Sequence, residues 1–322
     1  MKVYNNALQF RDHVPTETPV VLTIGTFDGV HAGHRAVLHL LSQRASRLGA
    51  ETVLLTFDPH PRMVLHPESH GLALLNSQLE KQNLLSQTGL NHLVVQPFTP
   101  ELARKSPLEY VRELIGEGIR PSVVVVGYDH RFGRNREGDF TILTELGELF
   151  NFEVEELPAQ HVDDTQVSST KVRSALQSGD IDLANQWLQS PYLLTGRVVS
   201  GDQIGRTLGF PTANLGHLPP LKLIPGNGVY FGWGQLPGHP KRPALINIGQ
   251  RPTISAEGPA RIEAHLIGFE GDCYGMELGV TLETRIRDER KFEDRTALLN
   301  AIESDLAWAQ LHLQSMQQPP HP

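Results

Sequence analysis

The chain has 322 residues, enough for two domains that each have a core of their own. Its formal net charge of −8 argues against a general nucleic-acid binder, so any phosphate site must be a local basic cluster. The single cysteine, Cys273, excludes a disulfide framework and fits a reducing compartment. We identify no signal peptide and no apolar run of membrane-spanning length, and therefore expect a cytoplasmic protein without a membrane partner.

An apolar run, a glycine-rich turn and an amphipathic segment follow one another near the N-terminus. Val20 to Ile24 predicts a short buried strand, and the apolar residues between positions 36 and 41 share one helical face. A glycine-rich turn at a helix start lets backbone N–H groups approach a phosphate closely. His31 and His34 share a face there, where they can donate hydrogen bonds to charge that develops in a transition state.

Two other interpretations of this stretch stay open on the residues alone. A strand-to-helix turn rich in glycine is by itself weak support for nucleotide binding, and two histidines at this spacing are also half of a metal site. The stretch lacks G-x-G-x-x-G, and the chain lacks G-x-x-x-x-G-K-[ST], so neither the dinucleotide fingerprint nor the P-loop is present.

Strand-like and helix-like segments alternate through the rest of the first half. Predicted strands are Thr52–Phe57, His92–Pro97, Pro121–Gly127 and Phe152–Leu157, and predicted helices are Asn76–Gln87, Ser106 to about Ile115 and Phe140–Phe150. This alternation predicts an α/β fold, a doubly wound parallel sheet with helices on both faces. Ligands bind such sheets at the carboxyl ends of the strands.

Two polar segments in this half can carry chemistry. Arginines at 131, 134 and 136 cluster in and just after the loop from Gly127 to Gly133. This loop is either a ligand-binding loop or a solvated basic loop. The segment from Ser168 to Arg173 is primarily a helix-capping signal. Its hydroxyls, with Lys171 and Arg173, are also suited to clamp a triphosphate.

The composition changes beyond a predicted linker near residues 187–192, so we predict domains of 1–186 and 187–322. Short strands are predicted at Leu193–Ser200, Gly228–Gly234, Ala244–Ile248, Arg261–Ile267 and Gly279–Ile286. Their spacing favours a small antiparallel β-barrel, closed by an amphipathic helix from Asp294 to about His312. The tail from Gln317 is predicted to be disordered.

Two features of the second half suit phosphate chemistry. Thr212 and Asn214 end a glycine-rich loop, and their side-chain oxygens suit Mg²⁺, although such a segment is more often a plain turn. Glu263 shares a strand face with Arg261 and His265. It is either a reactive carboxylate or merely the ion-pair partner of Arg261.

Residues 25–34, Gly-Thr-Phe-Asp-Gly-Val-His-Ala-Gly-His, resemble the H-x-G-H signature of the nucleotidylyltransferase superfamily. The longer form F-D-G-V-H-x-G-H resembles the bacterial bifunctional riboflavin kinase/FAD synthetases. Residues 57–61, 127–133 and 168–173 resemble further motifs of that family in the family's order, with His130 where the family often has Phe. Residues 208–214, 228–230, 247–253, 263–265 and 285–292 resemble riboflavin kinase motifs.

For residues 1–186 the resemblance implies an FMN adenylyltransferase domain. It implies catalytic roles for His31, His34 and Arg173. It implies ATP and phosphate contacts from Gly25, Phe27, Gly33, Ser168, Ser169, Thr170 and Lys171. It implies flavin contacts from His60, Asp129, Arg131 and Phe132.

For residues 187–322 the resemblance implies a riboflavin kinase. Glu263 would be the base on the ribityl 5′-hydroxyl, and Thr212 and Asn214 would help hold Mg²⁺ with ATP. Gly201, Gly205 and Arg206 would belong to a loop over the phosphates, and Arg287 would lie near the flavin. The small-molecule partners would be riboflavin, FMN, FAD and ATP, while the sequence leaves the oligomeric state open.

Three rival functions make different forecasts. An enzyme with one drifted domain would form only FMN or only FAD from its substrates. A flavin-binding regulator would bind flavin without turning over ATP. A pantetheine- or nicotinate-type adenylyltransferase would explain H-x-G-H but not the barrel.

Overall fold

The computed structural model describes residues 1–66, 72–157, 167–201, 204–250 and 260–317, with the backbone alone at 204, 206, 250 and 317. The chain divides into two compact units, Met1–Ser169 and Thr170–Pro322. Within the described ranges, none of the helices combines the length and the apolar character needed to cross a membrane. The predicted disordered tail lies outside the described residues except for the backbone of Gln317.

A six-stranded parallel sheet forms the centre of the first unit. Its strands are β1 (Lys2–Tyr4), β2 (Val20–Ile24), β3 (Glu51–Asp58), β4 (His92–Pro97), β5 (Val123–Gly127) and β6 (Glu153–Leu157). Their order is β1-β4-β3-β2-β5-β6, and every neighbouring pair is parallel. The predicted parallel sheet is confirmed, while β1 is too short to have been recognised from periodicity.

Helices cover both faces of this sheet. They are α1 (Ala7–His13), α2 (Ala32–Leu48), α3 (Pro61–Leu65), α4 (Gln78–Ser86), α5 (Pro100–Ala103), α6 (Pro107–Tyr110), a π-helix (Val111–Ile119), a 3-10 turn (Arg134–Arg136) and α7 (Phe140–Phe150). Buried side chains of α2 and α4 pack on one face, and those of α1, the π-helix and α7 pack on the other. The helix begins after Ser106 as predicted, and Ser106 forms a capping box with Glu109 at the start of α6. The π-helix carries the chain on past the predicted end at Ile115.

A closed antiparallel barrel forms the second unit, as predicted. Its strands are β7 (Tyr192–Val199), β8 (Ala213–Gly216), β9 (Gly228–Gln235), β10 (Arg242–Gln250), β11 (Ala260–Leu266) and β12 (Glu277–Arg287), in the order β10-β11-β8-β7-β12-β9. The helices are α8 (Ser169–Ser178), α9 (Ile181–Leu188), α10 (Ile204–Thr207) and α11 (Arg295–Gln317). Helix α11 packs on the barrel through Ala309, which is buried against Phe231 and Leu245.

The division between the two compact units lies at residues 169–170, and the domain boundary at residues 186–187 stays a prediction. Asn185 on α9 donates to two carbonyl oxygens of β12, at 2.8 and 3.1 Å, and its own side-chain oxygen accepts from the N–H of Tyr192 at 2.8 Å. The N–H of Gly226 donates to the carbonyl oxygen of Leu176 at the end of α8, at 2.8 Å. These bonds join α8 and α9 to the barrel, so the predicted boundary passes through α9.

Candidate active sites

The carboxyl ends of three adjacent strands carry the first group of predicted site residues. Strands β3, β2 and β5 are neighbours and parallel, so the segments that follow them meet at one edge of the sheet. These segments are the glycine-rich turn at 25–31, the loop at 58–60 and the loop at 127–133. The structure thus collects, at a ligand-binding edge, three motifs that are far apart in sequence.

The turn after β2 is held in an unusual backbone conformation. Phe27 and Val30 have φ of 49° and 43°, in the left-handed region that bulky residues avoid, at a cost of about 1–3 kcal/mol each. Both side chains are buried. The buried carboxylate of Asp28 accepts hydrogen bonds from the N–H groups of Leu75 and Asn76, at 3.0 and 3.3 Å. The surroundings therefore fix the turn before any ligand arrives.

Three aromatic rings stack where α2 begins. His31 occupies the N-cap position of α2, and its ring lies over that of His34 with centroids 3.7 Å apart. The ring of Phe27 lies on the other side of His34, at 4.6 Å. A Cβ on Gly33 would lie 3.3 Å from the Cε1 atom of His31, so glycine leaves room for this ring. The predicted pairing of the two histidines at a helix start is therefore present, and Gly25 lies directly against Phe27.

The electrostatics of this turn favour a neutral His34. Burial, together with the neighbouring His31 and Lys81, holds the pKa of His34 well below its usual range. A neutral imidazole donates one N–H and can take up a further proton when phosphate charge is placed beside it. Within the described ranges, no group of three or more His, Cys, Asp and Glu side chains is placed to hold a metal ion.

Lys81 is a buried cation that the sequence analysis missed. Its ammonium group donates to the carbonyl oxygen of Thr26, at 2.9 Å, directly before the strained turn. Burial lowers the pKa of Lys81, whereas the carboxylates of Asp28 and Asp58 raise it. The one signal in the sequence is that Lys81 stands four residues before the buried Leu85, on the apolar side of α4.

Ser169, in the segment at 168–173, contacts the turn through its hydroxyl. Ser169 begins α8, and its hydroxyl donates to the carbonyl oxygen of Asp28 at 2.9 Å. Ser168 precedes the helix. Thr170, Lys171 and Arg173 follow on α8 and belong to the second unit, so their contacts with a nucleotide stay a prediction.

The loop at 127–133 contains both buried and exposed residues. Phe132 is buried against the ring of Tyr110 at 5.4 Å, and its N–H and carbonyl group both pair with Gly138. Asp129 and Arg131 are exposed. Phe132 therefore shapes the loop from inside, while Asp129 and Arg131 remain accessible for the predicted flavin contact.

His60 lies in the loop after β3, as the N-cap of α3. Its Nδ1 atom accepts a hydrogen bond from the N–H of Arg62, at 3.2 Å. This bond orients the ring at the same sheet edge. The predicted contact between His60 and the flavin stays a prediction.

We predict that His130→Phe reduces the acid sensitivity of the first unit. Burial, with Arg136 and Arg131 nearby, lowers the pKa of His130 to about 4 from its usual value near 6.5. Between these values the unfolded chain binds a proton that the folded chain rejects, so the free energy of unfolding falls as pH falls. Phe removes that proton, and we expect the loss between pH 7 and pH 4.5 to shrink by on the order of 1–3 kcal/mol.

Urea unfolding at both pH values measures this difference. His39→Phe, at an exposed position of α2, is the matched control and should keep the wild-type pH dependence. Equal acid sensitivity of His130→Phe and wild type would contradict the prediction.

The strand register of the barrel builds the second group of predicted site residues. Glu263 on β11 lies directly opposite Asn214 on β8 and opposite Asn247 on β10. The hydroxyl of Thr212, just before β8, donates to Oε2 of Glu263 at 3.4 Å. The Nε atom of Arg261 lies 2.5 Å from Oε1 of the same carboxylate. Glu263 thus has both the predicted metal ligands and the alternative ion-pair partner beside it.

Two glycines of the loop before β8 are required by close packing. A Cβ on Gly201 would overlap the side-chain amide of Asn214, and one on Gly205 would overlap the carbonyl oxygen of Phe210. The loop therefore packs closely against the predicted metal ligands. Asp202, Gln203, the side chain of Arg206 and the motif residues Arg251 to Thr253 lie outside the described residues.

A cavity of about 280 Å³ adjoins Glu263 in the barrel unit. Its lining includes Thr212, Asn247 and Glu263, together with residues of α11 and the end of β12. Arg287 lines this cavity, and its guanidinium makes a double ion pair with Asp305 of α11 at 2.8 and 2.9 Å. The buried Asp305, which the sequence analysis missed, thereby fixes Arg287 and joins α11 to β12.

Comparison with known proteins agrees with both units. The family model for FAD synthetase matches residues 13–171, and the one for riboflavin kinase matches residues 188–313. The bifunctional riboflavin kinase/FMN adenylyltransferase of Pseudomonas fluorescens is 36% identical over 295 residues, covering 92% of this chain and 93% of that protein. The protein of the same name from Bacillus subtilis is 36% identical over 289 residues, covering 88% and 90%.

The fold also has a solved counterpart. The crystal structure of a macrolide-efflux protein from Streptococcus pneumoniae matches with a TM-score of 0.83 and 27% identity, covering 96% of this chain and 98% of that one. The sheet and barrel define a nucleotide-binding α/β unit followed by a small β-barrel unit. The chain belongs to the family of bifunctional riboflavin kinase/FMN adenylyltransferases, and the resemblance found in its motifs is confirmed.

Proposed function

We propose that this enzyme makes FAD from riboflavin in two steps, one in each unit. The barrel unit transfers the γ-phosphoryl group of ATP to the ribityl 5′-hydroxyl, giving FMN and ADP. The sheet unit then joins FMN to the AMP part of a second ATP, giving FAD and pyrophosphate. The observation that supports the proposal is that Glu263 lines a cavity together with Thr212 and lies opposite Asn214 in the register of β8 and β11.

The kinase step needs a base and charge neutralisation. Glu263 accepts the proton of the 5′-hydroxyl, and its position at the cavity leaves room for the flavin chain. The Thr212 hydroxyl and the Asn214 side-chain oxygen, both beside Glu263, are oxygen ligands of the kind that Mg²⁺ prefers. When bound together with ATP, Mg²⁺ supplies neutralisation of phosphate charge. The loop of Gly201 and Gly205 packs against these residues and is suited to cover the phosphates.

The adenylylation step needs donors at the α-phosphate. The phosphate of FMN attacks the α-phosphorus of ATP, and pyrophosphate leaves without a covalent enzyme intermediate. His31, His34 and the N–H groups at the start of α2 donate to the developing charge. Lys171 and Arg173 would add positive charge from α8.

The partners under this proposal are riboflavin, FMN, FAD and ATP. We also place the reactions in the cytoplasm, which the supply of ATP and the single cysteine support. No role for nucleic acid is proposed, since the net charge of −8 disfavours one.

Incubation of the pure protein with riboflavin and Mg-ATP, followed by chromatography of the flavins, tests the function. We expect FMN to appear first and FAD to follow. FMN alone or FAD formed only from supplied FMN would indicate a single activity. Flavin binding without conversion would indicate a regulator and contradict the proposal.

A fragment of residues 170–322 should make FMN and no FAD, because it contains the whole barrel unit. A fragment of residues 187–322 lacks the three hydrogen bonds of Asn185. We expect its free energy of unfolding to be lower by on the order of 2–4 kcal/mol. Flavin chromatography and urea unfolding of both fragments check this, and a folded 170–322 fragment without kinase activity would contradict the assignment.

A further inference from the structure

Arg261 makes a contact in the kinase site that an ordinary ion pair does not require. Its Nε atom lies 2.5 Å from Oε1 of Glu263 and donates to Oδ1 of Asn214 at 3.1 Å. One N–H group therefore faces both the proposed base and one of the proposed metal ligands. The Thr212 hydroxyl contacts the other oxygen of the same carboxylate.

The ion pair between Arg261 and Glu263 by itself contributes little to stability. Arg261 and Glu263 are neighbours on one face of β11, so their pair joins no two separate elements. The two side chains are 29% and 21% exposed, and ion pairs of this partly solvated kind contribute about 0–1 kcal/mol. The contact with Asn214 crosses to β8 and directs the cation into the oxygen cluster.

The position of the guanidinium is one where a cation is expected. Oxygen atoms of Glu263 and Asn214 converge on its Nε atom. The Asn214 oxygen is one that the proposed function assigns to Mg²⁺, and the Glu263 carboxylate supplies negative charge beside it. A fixed positive charge there balances the carboxylate and repels a second cation. These oxygens cannot fully bind the Arg261 guanidinium and a metal ion at the same time.

We propose that Arg261 is a positioning residue that takes the place of the metal ion in the nucleotide-free kinase site. It holds the Glu263 carboxylate and the Asn214 amide in place, and it yields these oxygens when a divalent cation enters with ATP. The inference rests on the proposed function, because it takes the metal ligands from there. Arg261 therefore makes binding of a free divalent cation weak until the phosphates of ATP contribute further ligands.

Binding of Mn²⁺ to the nucleotide-free, full-length protein tests this directly, with electron paramagnetic resonance as the readout. Arg261→Gln removes the charge, and we expect Mn²⁺ to bind at this site about tenfold more tightly, a change of about 1.4 kcal/mol. Arg261→Lys keeps the charge and should bind Mn²⁺ about as weakly as wild type. Arg197→Gln, at an exposed position of β7, is the matched control and should change nothing.

A second substitution locates the added binding. Combining Arg261→Gln with Asn214→Ala should abolish the gain, because the amide oxygen is then missing. Unchanged Mn²⁺ affinity in Arg261→Gln, or a gain that survives Asn214→Ala, would overturn the inference. Riboflavin phosphorylation by the wild type is measured in parallel: if it is absent the proposed function fails, and if it is present with unchanged Mn²⁺ affinity only the role of Arg261 fails.

Discussion

Glu263→Gln should lower riboflavin phosphorylation by about 10²- to 10⁴-fold, the usual range for loss of a general base. The primary hydroxyl of the ribityl chain is a poor nucleophile at neutral pH, so its attack on ATP depends on a positioned proton acceptor. Gln keeps the shape of the side chain and can still accept from the Thr212 hydroxyl, but it cannot take up the proton. Adenylylation of supplied FMN should be nearly unchanged, because that reaction belongs to the other unit.

A purely structural role for Glu263, as the ion-pair partner of Arg261, predicts a different result for the same variant. If Glu263 were only a partner of Arg261, the change would lower the melting temperature slightly and leave the turnover of folded protein intact. Kinase turnover, FMN adenylylation and thermal unfolding of one preparation separate these outcomes. Glu277→Gln, exposed on β12, is the matched control. Near-normal kinase turnover in folded Glu263→Gln would remove Glu263 from the mechanism.

The residues around Glu263 show what sequence patterns can and cannot predict in a barrel. Strand β11 was predictable, because its apolar residues alternate with Arg261, Glu263 and His265 over its whole length. Strand β8 has four residues and no clear alternation, so Thr212 and Asn214 were assigned to a loop. Their place beside Glu263 depends on the register of β8 against β11, and a period-2 pattern does not specify which strands pair.

The first unit likewise has features that local sequence patterns predict and features that they do not. The buried strand Val20–Ile24, the turn and the amphipathic α2 follow local rules. The strand has the predicted bounds, and α2 covers the predicted helical face. Lys81 was missed, because its burial results from the packing of α4 beneath the turn rather than from any local preference. The packing of α9 with the barrel follows no local pattern either, since the hydrogen bonds of Asn185 to β12 span about 100 residues of sequence.

Replacing both His31 and His34 with Ala should block FAD formation and leave FMN formation intact. The two rings stack at the start of α2. Under the proposed function each donates a hydrogen bond to charge on the transferring phosphate. Loss of one such donor costs about 10²- to 10³-fold in rate, so each single variant should show a defect of that size. Because the imidazole of His34 is held neutral, its contribution is a hydrogen bond that strengthens as charge develops.

The measurement is FMN adenylylation, with riboflavin phosphorylation and thermal unfolding of the same preparations. His39→Ala, exposed on the same helix, controls for the loss of an imidazole from α2 and should retain both activities. A zinc site would behave differently, because one His would then be a ligand rather than a donor. Stoichiometric zinc in the purified wild type that is lost in the double variant would overturn the assignment, and so would FAD formation at the normal rate by a folded double variant.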